Sequence, residues 1–204
     1  MLKKRFNYIV IALLSVTLIA TTAIVYLNNQ ENAAEPYKQI TNLSANSLKL
    51  QDIDKLDEYV ELIVVGYATE DFLDREHKVK VYADSYLQDF STRTTIKIDK
   101  IIKKPTDFPE DQKELTIIEP VSLYKEEKLT TGNYIELKKD EPSVIFLMKN
   151  SFGDYSVVND NLGKIKLTGG EPNAPLQALT TSELSEYKTF RNSVLEKYGL
   201  NEQQ

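Results

Sequence analysis

His77 is the chain's single histidine, and cysteine is absent. A zinc site draws three or four ligands from imidazoles, thiolates and carboxylates, and no second His or any Cys exists to supply them. A Ser-His-Asp arrangement could use His77, but no Gly-x-Ser-x-Gly elbow is present to expose a nucleophile. Between Arg75, Glu76 and Lys78, His77 is expected on an exposed loop. Carboxylates are grouped at Asp107/Glu110/Asp111, Asp140/Glu141 and Asp154/Asp160. Glycoside hydrolysis needs two opposed carboxyls in a cleft. These groups instead fall in turn-forming sequence, where Asp and Asn bond to their own backbone. Asn159-Asp160-Asn161 could take calcium weakly, yet it lacks the spacing and closing glutamate of a calcium loop. Gly169-Gly170 has no phosphate-cradle pattern around it. The reading is of a chain that is not an enzyme, with no catalytic residue, no metal ligand and no cofactor.

Twelve tyrosines and no tryptophan leave aromatic side chains as the remaining chemistry. Tyr82, Tyr86, Phe90, Tyr124 and Tyr134 fall in loops or at strand ends, and they are the candidate ligand-binding residues. Small barrels bind extended polymers on one sheet face and its rim loops, with aromatics as platforms. The plainer reading is that the tyrosines cap a modest core.

The elements that would position these residues begin with residues 8–27, YIVIALLSVTLIATTAIVYL, which carry no charge, Pro or Gly. A helix of that length spans about 30 Å, the thickness of a bilayer's hydrocarbon core. Lys3, Lys4 and Arg5 precede it and acidic residues follow, which predicts a cytoplasmic stub over 1–7 and an extracellular remainder. The apolar run is longer than that of an ordinary cleaved signal, so it is read as a retained single-pass anchor; cleavage would make the protein secreted. Residues 28–36 read as a tether and 37–204 as one extracytoplasmic domain. The chain carries a formal charge of −6, and its paired lysines at 103–104 and 138–139 are each followed closely by acids. Nucleic acid is therefore excluded as a partner.

Within the domain, residues 52–59 read as a short helix. Residues 62–68, LIVVGYA, are β-branched and apolar throughout, as suits a strand buried on both faces, with Gly66 marking a bulge or a close backbone approach. Residues 70–78 read as a charged connection. Residues 79–82 and 95–99 alternate, and Ile101-Ile102 breaks the phase as a bulge would. Residues 114–118 form a strand stopped by Pro120, 121–142 read as irregular, and 143–148 form a second wholly apolar strand. Turns at 152–154 and 159–161 lead into strands over 155–158 and 163–167. A spacing of about ten residues per strand predicts a small antiparallel barrel or sandwich. Thr180 with Glu183 forms a capping box opening a helix over 181–198, which Gly199 can close. Leu184, Tyr187, Arg191, Val194, Leu195 and Tyr198 share its inward stripe.

The order Leu-Ile-Val-Val-Gly, an alternating strand ending in Lys-Lys, Leu-Thr-Ile-Ile, a Thr-Gly-Asn-Tyr loop and Val-Ile-Phe-Leu-Met resembles the OB-type barrel ectodomains of uncharacterised exported Gram-positive proteins. More distantly it is similar to netrin-like modules, which include the tissue inhibitors of metalloproteases. The resemblance spans residues 57–167 and implies an OB-like barrel, on whose wall the C-terminal helix is expected to pack. The netrin-like inhibitors place an N-terminal cysteine on a catalytic metal, and this chain has none to place. The expected function is a membrane-anchored extracytoplasmic module that binds or scaffolds a cell-surface protein or polymer. The alternatives are an inhibitor or modulator of an extracellular enzyme, acting through rim loops over 82–90, and a wall-polymer hydrolase, which the missing constellation disfavours.

Overall fold

Two strands with apolar residues on both faces form the centre of the fold: β2 (Leu62–Ala68) and β8 (Ser143–Lys149). In a strand, alternate residues point to opposite faces, so each of these strands serves two cores. The computed structural model describes residues 37–44, 49–82, 86–169 and 179–200. The expected span at 8–27, with its stub and tether, lies outside the described residues, among which no helix is long and apolar enough to cross a membrane. The elements below belong to one unit, Gln39–Gln204.

In chain order they are β1 (Gln39–Leu43), α1 (Ile53–Tyr59), β2, β3 (Glu76–Val81), β4 (Leu87–Lys103), β5 (Glu114–Glu119), β6 (Val121–Tyr124), β7 (Glu127–Thr131), β8, β9 (Tyr155–Val157), β10 (Lys164–Lys166) and α2 (Thr181–Tyr198). β2 pairs antiparallel with β4 and β8, β4 with β5, and β8 with β9. A parallel contact between Ile118 of β5 and Ser156 of β9 closes the ring. The fold is thus a closed five-stranded barrel in the order β2-β4-β5-β9-β8 with a C-terminal helix, and its closing seam is parallel where an antiparallel barrel was expected. β3 extends the first half of β4, β10 adds to β8, and β1-β7-β6 form a separate three-stranded sheet.

The bulge at Ile101-Ile102 is present. Val64 pairs with Ile101 and Ile63 with Lys103, so Ile102 is the extra residue; a second shift lies opposite Val65 and Gly66. This change of phase turns Ile101 toward the barrel core and Ile102 toward the outer one. A Cβ on Gly66 would run into the Lys97 carbonyl oxygen, which explains the glycine.

Two regions depart from expectation. Residues 70–78 contain a 3₁₀ turn (Phe72–Asp74) and the start of β3 rather than a charged connection only. Residues 121–142 contain the β6–β7 hairpin rather than irregular chain alone. Consecutive buried residues, Val121-Ser122 and Lys128-Leu129-Thr130, hide the period of two that would have marked these strands.

α2 covers the outer face of β2 and β8. Tyr187, Phe190 and Val194 pack with Ile63, Val65, Val144, Phe146 and Ile165. Its capping box and left-handed Gly199 cap are both formed. Arg191 lies in the inward stripe and is 3% exposed. Its guanidinium donates to the Lys166 and Leu167 carbonyls at 2.9 and 3.1 Å, satisfying backbone acceptors at the end of β10.

Candidate ligand-binding groove

A cleft of about 330 Å³ runs over β5 between the β3–β4 hairpin and the β8–β9 turn. Ile118, Pro120 and Ser156 line it from the barrel, with Phe90 on one side and Phe152 on the other. The sequence Asn150-Ser151-Phe152-Gly153-Asp154 builds the turn locally. The Asn150 side-chain oxygen accepts from the Phe152 and Asp154 amides at 2.9 and 3.1 Å, and Asn150 N–H donates to the Asp154 carbonyl at 2.8 Å. Gly153 adopts φ +87°, a left-handed conformation that glycine takes without a steric cost. The turn therefore holds Phe152 out with 90% of its surface exposed. Arg93 reaches Glu76 at 3.4 Å and Asp154 at 3.6 Å, tying the hairpin side of the groove to the turn. Lys78 and Arg93 balance the charge of Asp89 and Asp154 along it. The arrangement offers two rings and several donors and acceptors along an open channel, which suits an extended chain better than a small enclosed molecule.

The five aromatics singled out from sequence do not converge. Phe90 alone lines the cleft. Tyr82 and Tyr86 flank the end of the β3–β4 hairpin, 60% and 73% exposed, joined by a Tyr82 N–H to Tyr86 carbonyl bond of 2.9 Å. Tyr124 is half-buried at the end of β6, with the Lys125 ammonium 5.0 Å from its ring. Tyr134 is 2% exposed and belongs to the core, so it is no platform. Phe152, which the sequence reading took only as a turn residue, is the most exposed large apolar side chain in the described part. Its position inside the Asn-x-Phe-Gly-Asp turn was the available signal, since a turn tip presents its central residues to solvent.

His77 is not on an exposed loop. It sits on β3, half-buried, with its ring nitrogens 2.9 Å from Thr92 Oγ1 and 2.9 Å from the Phe72 carbonyl. Burial lowers its pKa against the opposing hydrogen bond to Phe72, and nearby Arg75 lowers it further. The misplacement has a simple cause: the flanking charges Glu76 and Lys78 sit on the opposite, solvent face of the same strand.

Behind the groove lies a buried ionic network. Glu119, wholly buried at the end of β5, accepts from Arg75 at 3.0 Å and from the Thr94 hydroxyl through one oxygen. Its other oxygen accepts from Tyr134 Oη at 2.7 Å and Leu137 N–H at 2.8 Å. Arg75 also donates to the Leu137 carbonyl at 2.7 Å. Residues 134–137 are buried but belong to no strand, so their backbone groups need side-chain partners. Glu119 and Arg75 serve Leu137 on both its groups, and Asn161 accepts from Ile135 N–H at 2.9 Å. Glu136 pairs with Lys128 at 2.5 Å and Lys138 at 2.7 Å. Burial would raise its carboxyl, but the two lysines hold it at about 2. Tyr134 is pushed well above the phenol range by burial and by Glu119. Every group in the Glu119 and Glu136 clusters is thus turned to holding chain segments together.

Among the described residues no three His, Cys, Asp or Glu side chains group to hold a metal ion. Asn159 and Asn161 use their amides on the backbone of Leu50, Asn133 and Ile135. No family model matches the chain, and no curated protein matches it.

Proposed function

We propose that this chain is a non-catalytic binding module whose groove takes an extended cell-surface polymer, held outside the membrane by an anchor at residues 8–27. The observation that carries the reading is the cleft of about 330 Å³ with Phe90 on one side and the presented Phe152 on the other. In this reading the barrel is of the OB type. Its ring order and the parallel seam between the third and fifth barrel strands support that assignment. OB barrels bind on the face of their second and third strands and the loops beside it; here those strands are β4 and β5, and the cleft lies over them. The acidic charge of −6 argues for a wall polysaccharide over a nucleic acid. The uncharged run at 8–27 behind Lys3, Lys4 and Arg5 supports the anchor and its sidedness.

The test is retention of the full-length chain on purified wall polysaccharide. Phe152→Ala and Phe90→Ala should each weaken retention about tenfold or more, the value of one lost aromatic stacking contact. Unchanged retention in both variants would remove the groove from consideration. A second reading, modulation of an extracellular enzyme, is favoured by the exposed Tyr82 and Tyr86 at the hairpin end. It predicts that Tyr82→Ser with Tyr86→Ser abolishes co-purification of an enzyme from surface extracts while polysaccharide retention persists.

A further inference from the structure

Lys164 stands apart from the other buried cations of the barrel. It is 9% exposed; among the described residues its ammonium has no ion pair or hydrogen bond, only the Tyr134 ring at 4.8 Å, and its nitrogen keeps contact with solvent. It lines a small indentation of about 30 Å³ with Glu136, Lys138, Glu141, Ser143, Lys166 and Tyr187. The two glutamates there are already engaged: Glu136 by Lys128 and Lys138, and Glu141 by Lys166. Ser143 is 6% exposed, and its hydroxyl also has no partner among the described residues. Tyr187 accepts from the Lys166 amide at 3.0 Å through its oxygen, which leaves its own proton for donation. Three donors therefore border one recess, and one of them is a cation with little solvent around it and no hydrogen-bonded counter-ion.

We propose that this recess is an oxyanion site in which Lys164, Ser143 and Tyr187 receive a carboxylate or phosphate group. The volume admits the oxygens of such a group and little more, so the remainder of the ligand would lie outside. An ammonium left with little solvent and no hydrogen-bonded counter-ion favours an anion, which would also satisfy the neutral donors. The lysine's state agrees. Burial lowers its pKa to about 8 against the opposing pull of Glu119 and Glu136, with Lys138 and Lys128 lowering it further. At neutral pH it is still mostly protonated and competent to bind. This site lies away from the Phe90–Phe152 groove and does not depend on that reading, because the two share no lining residue.

Calorimetric titration of the full-length chain with inorganic phosphate and, separately, with sodium acetate tests the proposal, using chloride at matched ionic strength as the control. One saturable site is expected for at least one anion; phosphate alone assigns a phosphate group, acetate alone a carboxylate. Lys164→Met should lose roughly tenfold or more in affinity and Ser143→Ala roughly threefold, as expected for one charged and one neutral hydrogen bond. Should Lys164→Met unfold the chain, the Lys164 Cε chemical shift in the unaltered protein decides: it moves with anion if the site is real. Saturable binding that survives Lys164→Met, no saturable binding of either anion, or an unmoved Cε shift would each overturn the assignment.

Discussion

Leu62 and Val64 on β2, and Ile145 and Leu147 on β8, face the barrel interior, while Ile63 and Val65, and Val144 and Phe146, face α2. The same two strands thus supply both cores, yet the cores close differently. Under α2 the apolar side chains meet a regular helix whose backbone is satisfied internally, and one arginine, Arg191, tidies the last carbonyls of β10. In the barrel core the segment at residues 134–137 is irregular, so carboxylates and cations must stand in for ladder partners. A core closed by regular structure can be wholly apolar, whereas one closed by a buried loop must import polar groups and their charges.

The largest effect should come from breaking the imported pair. Glu119→Ala leaves Arg75 buried without its counter-charge and should cost about 3–5 kcal/mol in denaturant unfolding. Pairing Glu119→Leu with Arg75→Met should recover much of that loss, since an apolar pair avoids the buried charge; no recovery would mean that the Leu137 hydrogen bonds dominate. Next comes acid. Glu136 has its carboxyl at about 2 in the fold against 4.5 unperturbed. Its stabilising contribution is complete above pH 4.5 and disappears as pH falls toward 2, a loss of about 3 kcal/mol. Glu136→Gln should flatten the acid limb of stability against pH, measured by chemical denaturation.

On the helix side the expected costs are those of packing alone. Val194→Ala should cost about 2 kcal/mol, with no dependence on pH between 2 and 4.5 to match that of Glu136. The smallest effect is Thr180→Ala, which removes the cap of α2 and should cost about 1 kcal/mol. Were Thr180→Ala to unfold the barrel as well as the helix, the two cores would be one cooperative unit, and the contrast drawn between them would need redrawing.

Legibility followed the range of the interactions. The strands at 62–68 and 143–148, the bulge at Ile101-Ile102 and both caps of α2 were readable because each is written in neighbouring residues. β6 and β7 were not, since their consecutive buried residues follow surroundings from distant elements rather than a period of two. For the groove, Phe90 was picked out and Phe152 was not, while Tyr134 was placed on the surface although it points inward. Tyrosine's type is compatible with either place, and only the partner Glu119 decides between them.

What the amino-acid sequence determined by itself is therefore local: the apolar strands, the turns, the helix with its two ends, and a composition that supplies neither thiol nor second imidazole. Tertiary structure alone decided that β5 meets β9 in parallel to close the ring, that Glu119 and Arg75 are buried together, and that Lys164 lies in a recess with Ser143 and Tyr187. The physical reason is that burial and Coulomb interactions depend on distances between residues far apart in the chain, which no window of neighbouring residues contains.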